Sequence, residues 1–252
     1  MFSLEGKTAI VTGGTGGLGK TMNLALAQAG ASVVSIELPK DPLSLAHAES
    51  IKGIGSKLDT FECDLSKPKD LRRCYTDIWE TGIAPDILLN CAGVTRCDRC
   101  EDVKDEDIDL LFDINLKAVF ISTQEFGRRL LHLKRPGKII NIASINSFQA
   151  NINPSTYSTT KVGIFQMTKA FSNEWASRGI QVNGIAPGFM RTPMTDFYAE
   201  DPKMIEYLMS RVPSARWGQP EDLVGAVIFL ASLASNFVTG TTLVVDGGFV
   251  GK

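Results

Sequence analysis

Residues 8–19 read Thr8-Ala9-Ile10-Val11-Thr12-Gly13-Gly14-Thr15-Gly16-Gly17-Leu18-Gly19. The first four predict a short buried strand, and the pattern after the glycines predicts a helix that ends at Gly30. A glycine-rich turn between a strand and a helix can bind the pyrophosphate of a dinucleotide, because the helix amino terminus presents free N–H groups and a positive dipole. We therefore predict dinucleotide contacts at Gly13, Thr15, Gly16, Gly17, Leu18 and Gly19. The alternative is an ordinary glycine-rich turn.

Short β-branched runs alternate with helical stretches along the whole chain, which is typical of βαβ units. Strands are predicted at Thr8–Val11, Ser32–Ile36, Leu58–Cys63, Ile87–Asn90, Lys138–Ala143, Ile180–Ile185 and Thr242–Val245. Two long helices are predicted, at about Asp107–Leu133 and Ser155–Arg178. The fold prediction is α/β: one domain over residues 1–252, a Rossmann fold with a doubly wound seven-stranded parallel sheet and helices on both faces.

Composition restricts the class of protein. The 252 residues are 44% hydrophobic, which suits one large domain. With 26 basic and 28 acidic residues the formal net charge is −2, so neither nucleic acid nor an anionic membrane is an expected partner. The first seven residues, Met1–Lys7, lack the regions of a signal peptide, and a cytoplasmic location is expected.

The cysteines are five in number, and an odd count without a signal peptide predicts reduced thiols. Cys97 and Cys100 form a single C-x-x-C motif. A zinc site would need a second pair of ligands, and the only histidines, His47 and His132, are far apart in sequence. No metal site is therefore predicted.

An acidic residue closes the second predicted strand. Glu37 follows Gly19 by eighteen residues. A carboxylate near this distance accepts hydrogen bonds from an adenosine ribose and repels a 2′-phosphate. Lys40 is close in sequence, but we expect it to point away with the following loop. The sequence thus favours NAD over NADP, with a solvated strand-end carboxylate as the alternative.

Other segments end at the same edge of the predicted sheet, where ligands of open parallel sheets bind. Asp64 and Leu65 are predicted to meet the adenine ring. Asn90, Ala92 and Gly93 end the fourth strand, where Gly93 would let the backbone pass close to the cofactor.

Tyr157 and Lys161, four residues apart, share one face of a predicted helix. A tyrosine with a pKa of about 10 is a poor base at neutral pH, and lowering that value by about 3 units requires about 4 kcal/mol. One ammonium at about 4 Å supplies a similar energy at an effective dielectric constant of 20. Tyr157 could then exchange a proton with an alcohol or a ketone, while Ser144 hydrogen-bonds the same oxygen.

A fourth polar candidate is Asn115, in the middle of the first long helix. Its neighbours are apolar, which favours a functional asparagine over one that merely decorates the surface.

Together these residues resemble the short-chain dehydrogenase/reductase family over essentially the whole chain. The resemblance rests on T-G-x-x-x-G-x-G at Thr12–Gly19, N-x-A-G at Asn90–Gly93, Asn115, Ser144, Tyr157-x-x-x-Lys161, and Pro187-Gly188 followed by Thr192. It implies a catalytic tetrad of Asn115, Ser144, Tyr157 and Lys161, with Asn115 holding a helix kink and a water that connects Lys161 to solvent. It also implies cofactor contacts from Tyr157, Lys161, Pro187, Gly188, Met190 and Thr192, and a homotetramer.

Within the family the chain is most similar to the branch that acts on sugar acids. The segments that carry this likeness are Phe2–Lys7, Lys138–Ser144, Asn173–Ala176, Arg216–Pro220 and Val245–Gly248. Arg96 could anchor a substrate carboxylate, the alternative being a solvated loop arginine. Further candidates for substrate contact are Ser144, Asn146, Gln149, Tyr157 and Met194.

The segment 188–218 is predicted to be an irregular substrate loop or lid. Its methionine and aromatic residues are Phe189, Met190, Met194, Phe197, Tyr198, Met204, Tyr207 and Met209. Such residues could equally cover an apolar ketone, such as a steroid or a secondary metabolite. The leading hypothesis is therefore an NAD-dependent oxidoreductase for a small sugar acid or polyol. The alternatives are a ketoreductase for apolar ketones and a non-catalytic NAD-binding scaffold.

Overall fold

Parallel strands form the centre of the molecule. The computed structural model describes residues 1–196 and 202–252. Its strands are β1 (Thr8–Thr12), β2 (Ser32–Glu37), β3 (Leu58–Glu62), β4 (Ile87–Asn90), β5 (Gly137–Ile142), β6 (Ile180–Pro187) and β7 (Thr242–Val245). They pair in the order β3-β2-β1-β4-β5-β6-β7, and every pairing is parallel. The predicted seven-stranded parallel sheet is confirmed, with strand ends shifted by one or two residues.

The strand order reverses between β1 and β4. From β1 the chain moves outward through β2 and β3, then returns to pair β4 with the other side of β1. This reversal opens a crevice at the carboxyl ends of β1 and β4, which is where open α/β sheets bind ligands.

Helices cover both faces of the sheet. They are α1 (Gly17–Gln28), α2 (Ser44–Gly53), α3 (Pro68–Glu80), α4 (Asp105–Leu111), α5 (Ala118–His132), α6 (Ser155–Trp175), α7 (Pro202–Arg211) and α8 (Val224–Ala231). The segment 188–218 is therefore not irregular throughout, because α7 lies within it. The expectations for Phe197 and Tyr198 fall outside the described residues.

Two apolar cores hold these layers together. On one face, Met22 and Leu26 of α1 pack with Val227 and Leu230 of α8 against the sheet. On the other, Tyr75 of α3, Phe126 of α5 and Trp175 of α6 form the corresponding core. Both faces of the central strands are thus covered by helices, and all six residues of β5 are buried.

The predicted long helix at about Asp107–Leu133 is interrupted. A π-helical turn, Phe112–Lys117, connects α4 to α5 and contains Asn115, which is fully buried. Single π-turns inside α-helices are often found at functional sites. Asn115 therefore lies at an irregular turn in the position where the family resemblance implies a helix kink.

No helix in the described residues combines the length and the apolar character that a bilayer crossing requires. No disulfide bond joins any of the cysteines, all of which lie in the described part of the chain.

Gly127 of α5 offers a test of the packing between α5 and α6. An added Cβ would overlap the indole ring of Trp175. We expect Gly127→Ala to lower the free energy of unfolding by about 1–3 kcal/mol, because overpacking outweighs the better helix propensity of alanine. Urea unfolding at a fixed protein concentration measures this change.

The matched control is Gly225→Ala in α8, where an added Cβ meets no atom within 4 Å. This variant should be neutral or more stable by up to about 1 kcal/mol. Equal effects of the two substitutions would contradict the packing described above.

Candidate active site

A cleft of about 320 Å³ lies at the carboxyl ends of β1, β2, β3 and β4. Its walls contain the following residues predicted from the sequence to contact a cofactor: Gly13, Thr15, Gly16, Gly17, Leu18, Gly19, Glu37, Asp64, Leu65, Ala92, Gly93, Tyr157, Lys161 and Thr192. The glycine turn, the ends of several strands and the Tyr-x-x-x-Lys helix therefore meet in one place.

The glycine turn is held tightly against β4. Gly13 has a φ of +68°, and an added Cβ would lie 2.9 Å from Cα of Ala92. An added Cβ at Gly19 would overlap the carbonyl oxygen of Gly13. The hydroxyl of Thr12 accepts hydrogen bonds from the backbone N–H groups of Cys91 (3.1 Å) and Ala92 (3.3 Å). Glycine is required at 13 and 19 because only a bare backbone fits between these elements.

Two carboxylates stand at the β2 end of the cleft. Glu37 is 2% exposed, and neither of its carboxylate oxygens has a hydrogen-bond partner among the described residues. Asp41 also lines the cleft and accepts a 2.5 Å hydrogen bond from the hydroxyl of Thr15. A buried carboxylate without donors is unfavourable, so a ligand with hydroxyl donors would fit here.

Three residues that were predicted to contact the cofactor do not line the cleft. The Asn90 amide donates to Asn141 Oδ1 (2.8 Å) and Thr123 Oγ1 (3.1 Å), which makes it a buried connection between β4, β5 and α5. Met190 packs into the core beside α1 and α8, and Pro187 is buried at the end of β6. These side chains are absent from the cleft walls because the apolar core and the neighbouring strands enclose them.

A second cleft, of about 220 Å³, shares Tyr157 and Met194 with the first. The residues around it are Thr95, Cys97, Ser144, Ile145, Asn146, Asn151, Ile152, Pro154, Tyr157, Gly188, Phe189, Met194, Thr195, Met204, Tyr207 and Leu208. Gly188, predicted to contact the cofactor, belongs to this wall. The shared tyrosine joins a space for a dinucleotide to a space for a small substrate.

Tyr157, Ser144 and Lys161 come from two neighbouring elements. Ser144 follows β5, and Tyr157 and Lys161 lie in the first two turns of α6. The Ser144 side chain lies close enough to the Tyr157 hydroxyl to lower its pKa, and the Ser144 oxygen accepts from the backbone N–H of Asn146 at 3.1 Å. Lys161 Nζ donates to the carbonyl oxygen of Ile142 at 2.8 Å and lies 5.5 Å from the centre of the Tyr157 ring.

Burial is the largest cause of the pKa shifts of Tyr157 and Lys161. It raises the pKa of Tyr157 to about 12, against the opposing effect of the Ser144 hydrogen bond. It also lowers the pKa of Lys161 to about 8. The expected lowering of the Tyr157 pKa is therefore not produced by these side chains alone, because the ammonium is itself desolvated and donates to a backbone carbonyl.

Asn115 fastens the π-turn to the loop after β4. Its Oδ1 accepts from the backbone N–H of Val94 and its Nδ2 donates to the Val94 carbonyl, both at 2.8 Å. An added Cβ on the adjacent Gly93 would lie 3.3 Å from Asn115 Oδ1 and 3.8 Å from Lys161 Nζ. Gly93 therefore permits Asn115 and Lys161 to approach the same stretch of backbone.

The candidate substrate residues separate into two groups. Ser144, Asn146, Tyr157 and Met194 line the second cleft. Arg96 does not: its Nε donates to Asp107 at 3.0 Å and its guanidinium also bonds the Thr95 carbonyl. Gln149 donates to the carbonyl of Val250 at 3.2 Å and is likewise absent from the cleft. The guanidinium of Arg96 is held outside the cleft because its acidic partner, Asp107 on α4, lies beside it.

Three residues that line the clefts or support the glycine turn have no recognisable signal in the sequence. Asp41 lies in a loop with no motif, and Asn151 lies between β5 and α6 without a distinctive neighbour. Asn23, which donates to the Gly14 carbonyl at 3.2 Å and so supports the glycine turn from behind, reads only as a helix residue. Tertiary proximity alone reveals their positions. Among the described residues no group of three or more potential metal ligands is present.

Comparisons with known proteins agree with this geometry. A family model described as "Enoyl-(Acyl carrier protein) reductase" matches residues 13–250. The 2-dehydro-3-deoxy-D-gluconate 5-dehydrogenase of Bacillus subtilis is 40% identical over 252 residues, covering 100% of this chain and 97% of the relative. The chain belongs to the short-chain dehydrogenase/reductase family.

Two further proteins similar to this dehydrogenase/reductase are named for different substrates. The 3-oxoacyl-[acyl-carrier-protein] reductase of Thermotoga maritima is 35% identical over 247 residues, covering 98% of this chain and 99% of the relative. A crystal structure of a gluconate 5-dehydrogenase from Burkholderia cenocepacia J2315, in complex with NADP and tartrate, has a TM-score of 0.95 at 35% identity. It covers 100% of this chain and 98% of that one. The activity common to the family is oxidation or reduction of a substrate with a nicotinamide cofactor.

Asn115 can be tested through stability. Asn115→Ala leaves the N–H and carbonyl groups of Val94 without their partners, and we expect a loss of about 1–3 kcal/mol in the free energy of unfolding. Asn173→Ala, at an exposed position of α6, is the matched control and should change stability by no more than about 0.5 kcal/mol. Equal urea midpoints for the two variants would contradict the fastening role of Asn115.

Proposed function

We propose that the protein transfers a hydride between NAD(H) and a secondary alcohol or ketone of a small sugar acid or polyol. The observation that carries this proposal is the position of Tyr157, which lines both clefts and has Lys161 Nζ 5.5 Å from the centre of its ring. The relatives named for 2-dehydro-3-deoxy-D-gluconate and gluconate support the substrate class.

In the oxidative direction the alcohol loses a hydride from carbon and a proton from oxygen, and a carbonyl forms. A bound oxidised nicotinamide supplies the hydride acceptor and a positive charge. Tyr157, as the phenolate, takes the hydroxyl proton, and Ser144 donates a hydrogen bond to the same substrate oxygen. In the reductive direction the Tyr157 phenol returns the proton to the oxygen of the carbonyl.

Lys161 acts on this chemistry through its charge. The phenolate of a desolvated tyrosine needs a nearby cation, and Lys161 is the only basic residue among the described residues that line the cofactor cleft. Because its Nζ donates to the Ile142 carbonyl, Lys161 is held at a defined position beside Tyr157. Asn115 would also hold the water through which Lys161 exchanges protons with solvent.

The cofactor preference that we propose is NAD. Glu37 offers two carboxylate oxygens without donors, and Asp41 adds a second negative charge nearby. Ribose hydroxyls would satisfy the Glu37 oxygens, whereas a 2′-phosphate would be repelled. The Burkholderia relative was solved in complex with NADP, which argues against an NAD preference. The cofactor preference therefore needs a direct measurement.

A second candidate is reduction of an apolar ketone. Phe189, Met194, Met204 and Leu208 are among the residues that line the substrate cleft, and such side chains accept apolar ligands. The Thermotoga relative is named for a 3-oxoacyl substrate, which supports this alternative. A panel of sugar acids, polyols and hydrophobic ketones, assayed with both oxidised and reduced cofactor, distinguishes the candidates. A non-catalytic scaffold is disfavoured because Tyr157 and Lys161 are both retained.

We also propose that the protein forms a homo-oligomer, in agreement with the tetramer implied by the family resemblance. The helical layer around α5 and α6 exposes Phe112, Phe120 and Val162, which are apolar side chains suited to a subunit interface. The segment 188–218 would act as a lid, since Met194 and Met204 reach the substrate cleft from it.

Tyr157→Phe tests the chemistry. Removing the hydroxyl should lower kcat by about 10²–10⁴-fold while cofactor affinity changes little, because the proton acceptor alone is lost. In the wild type, kcat/KM for oxidation should rise with pH, since the phenolate is the active form, and kcat/KM for reduction should fall. Steady-state assays from pH 6 to pH 10 measure both trends.

Tyr75→Phe is the matched control, because it removes the hydroxyl of a fully buried tyrosine that lies in the α3 core. Its activity should equal that of the wild type. A Tyr157→Phe variant with normal turnover would exclude the proposed acid–base role.

Glu37→Gln tests the cofactor preference. Removing a charge about 5 Å from a 2′-phosphate changes the interaction energy by roughly 1–3 kcal/mol. The ratio of kcat/KM for NAD to that for NADP should therefore fall by about 10–100-fold. Glu62→Gln, at the neighbouring position in register on β3 and outside the cleft wall, should change this ratio only slightly. A wild type that prefers NADP would overturn the assignment.

A further inference from the structure

The substrate cleft is lined by polar and by apolar side chains. The polar ones include Thr95, Ser144, Asn146 and Asn151, and the apolar ones include Met194 and Met204 of the segment 188–218. None of the described side chains around this cleft carries a formal charge. Among the described residues, only neutral donors are therefore present to bind the carboxylate of a sugar acid.

Asn146 is a constrained polar side chain of this cleft. It is 9% exposed and lies in the short helical turn Ile145–Ser147, where its backbone N–H is bound by Ser144. Its Oδ1 accepts a 2.6 Å hydrogen bond from Nδ2 of Asn151. No acceptor for the Asn146 Nδ2 group is found among the described residues, so both of its N–H donors remain available to the cleft that Asn146 lines.

We propose that Asn146 binds the carboxylate of the sugar-acid substrate and that Asn151 sets its orientation. The inference rests on the proposed function. It names the residue that binds the carboxylate, which is the group that distinguishes a sugar acid from a neutral polyol. An amide whose oxygen is already occupied presents only donors, and a carboxylate is the strongest acceptor that a sugar acid offers. Arg96, the alternative anchor, is paired with Asp107 outside the cleft.

The backbone geometry supports the direction of this contact. Asn146 follows Ser144 by two residues and donates its backbone N–H to the Ser144 oxygen, and both residues line the same cleft as Tyr157. The donors of Asn146 are therefore fixed relative to the group that handles the substrate oxygen. A substrate held at both points would present one defined hydroxyl to Tyr157, which makes Asn146 a determinant of specificity as well as of affinity.

The first experiment compares Asn146→Asp with the wild type on two matched substrates, a sugar acid and the polyol that lacks only its carboxylate. The variant replaces the donors with a negative charge at nearly unchanged volume. KM for the sugar acid should rise by about 10–100-fold, and KM for the polyol should change by no more than about threefold. The kcat for the sugar acid should fall as well, because a substrate no longer held at this point does not present one defined hydroxyl to Tyr157.

The second experiment tests orientation with Asn146 left in place. Asn151→Asp removes the donor that holds Asn146 Oδ1, so the Asn146 amide should rotate and present its oxygen to the cleft. KM for the sugar acid should again rise, by about 5–20-fold, while NAD affinity stays unchanged. Asn153→Asp is the control: it adds the same charge nearby, outside the cleft wall, at a φ of +79° that aspartate tolerates.

The outcomes separate the two proposals. A wild type that oxidises sugar acids, with both variants keeping the same preference for the carboxylate, would show that Asn146 does not bind it, while the proposed function stands. A wild type that turns over only apolar ketones would overturn the proposed function and this inference together. Should Asn146→Asp fail to bind NAD or to fold, Asn151→Asp decides alone: an unchanged sugar-acid KM contradicts the orientation and the contact.

Discussion

The close contact between the end of β1 and the end of β4 is the constraint on which the site depends. Gly13 lies against Ala92, and the Thr12 hydroxyl binds two backbone N–H groups of the β4 end. This contact occurs where the strand order reverses, so it forms the floor of the cofactor cleft. Any side chain at Gly13 would separate the two strands and displace the glycine turn from the helix that follows it.

Desolvation is a second property of the site. Glu37 and Lys161 are buried and Tyr157 is half-buried, and desolvation disfavours the charged forms of Tyr157 and Lys161. The side chains do not fully satisfy one another, since Lys161 donates to a backbone carbonyl and Glu37 has no donor. Such groups are suited to a ligand that brings hydroxyl donors at one end and positive charge at the other.

The tyrosine, the serine and Asn146 connect this electrostatics to substrate choice. Ser144 lies in the same cleft as Tyr157 and accepts from the backbone of Asn146, so proton transfer and substrate recognition share one short turn after β5. The apolar side chains of the cleft enclose the substrate without directing it. A few polar groups therefore set its orientation, as is usual in small-molecule sites.

The strands, the glycine turn, the Tyr157–Lys161 pair and Glu37 could be found from sequence alone, because each depends on local pattern or short spacing. Helix α7 escaped prediction since it lies in a segment dominated by methionine and aromatic residues, and the pairing of Arg96 with Asp107 joins two separate elements. The amino-acid sequence by itself determined the sheet, the family and the chemical groups. Only the tertiary structure decided which of them share a cleft, how Asn151 orients Asn146 and how burial shifts the pKa of Tyr157, because contacts between distant segments and exclusion of water have no signature in spacing.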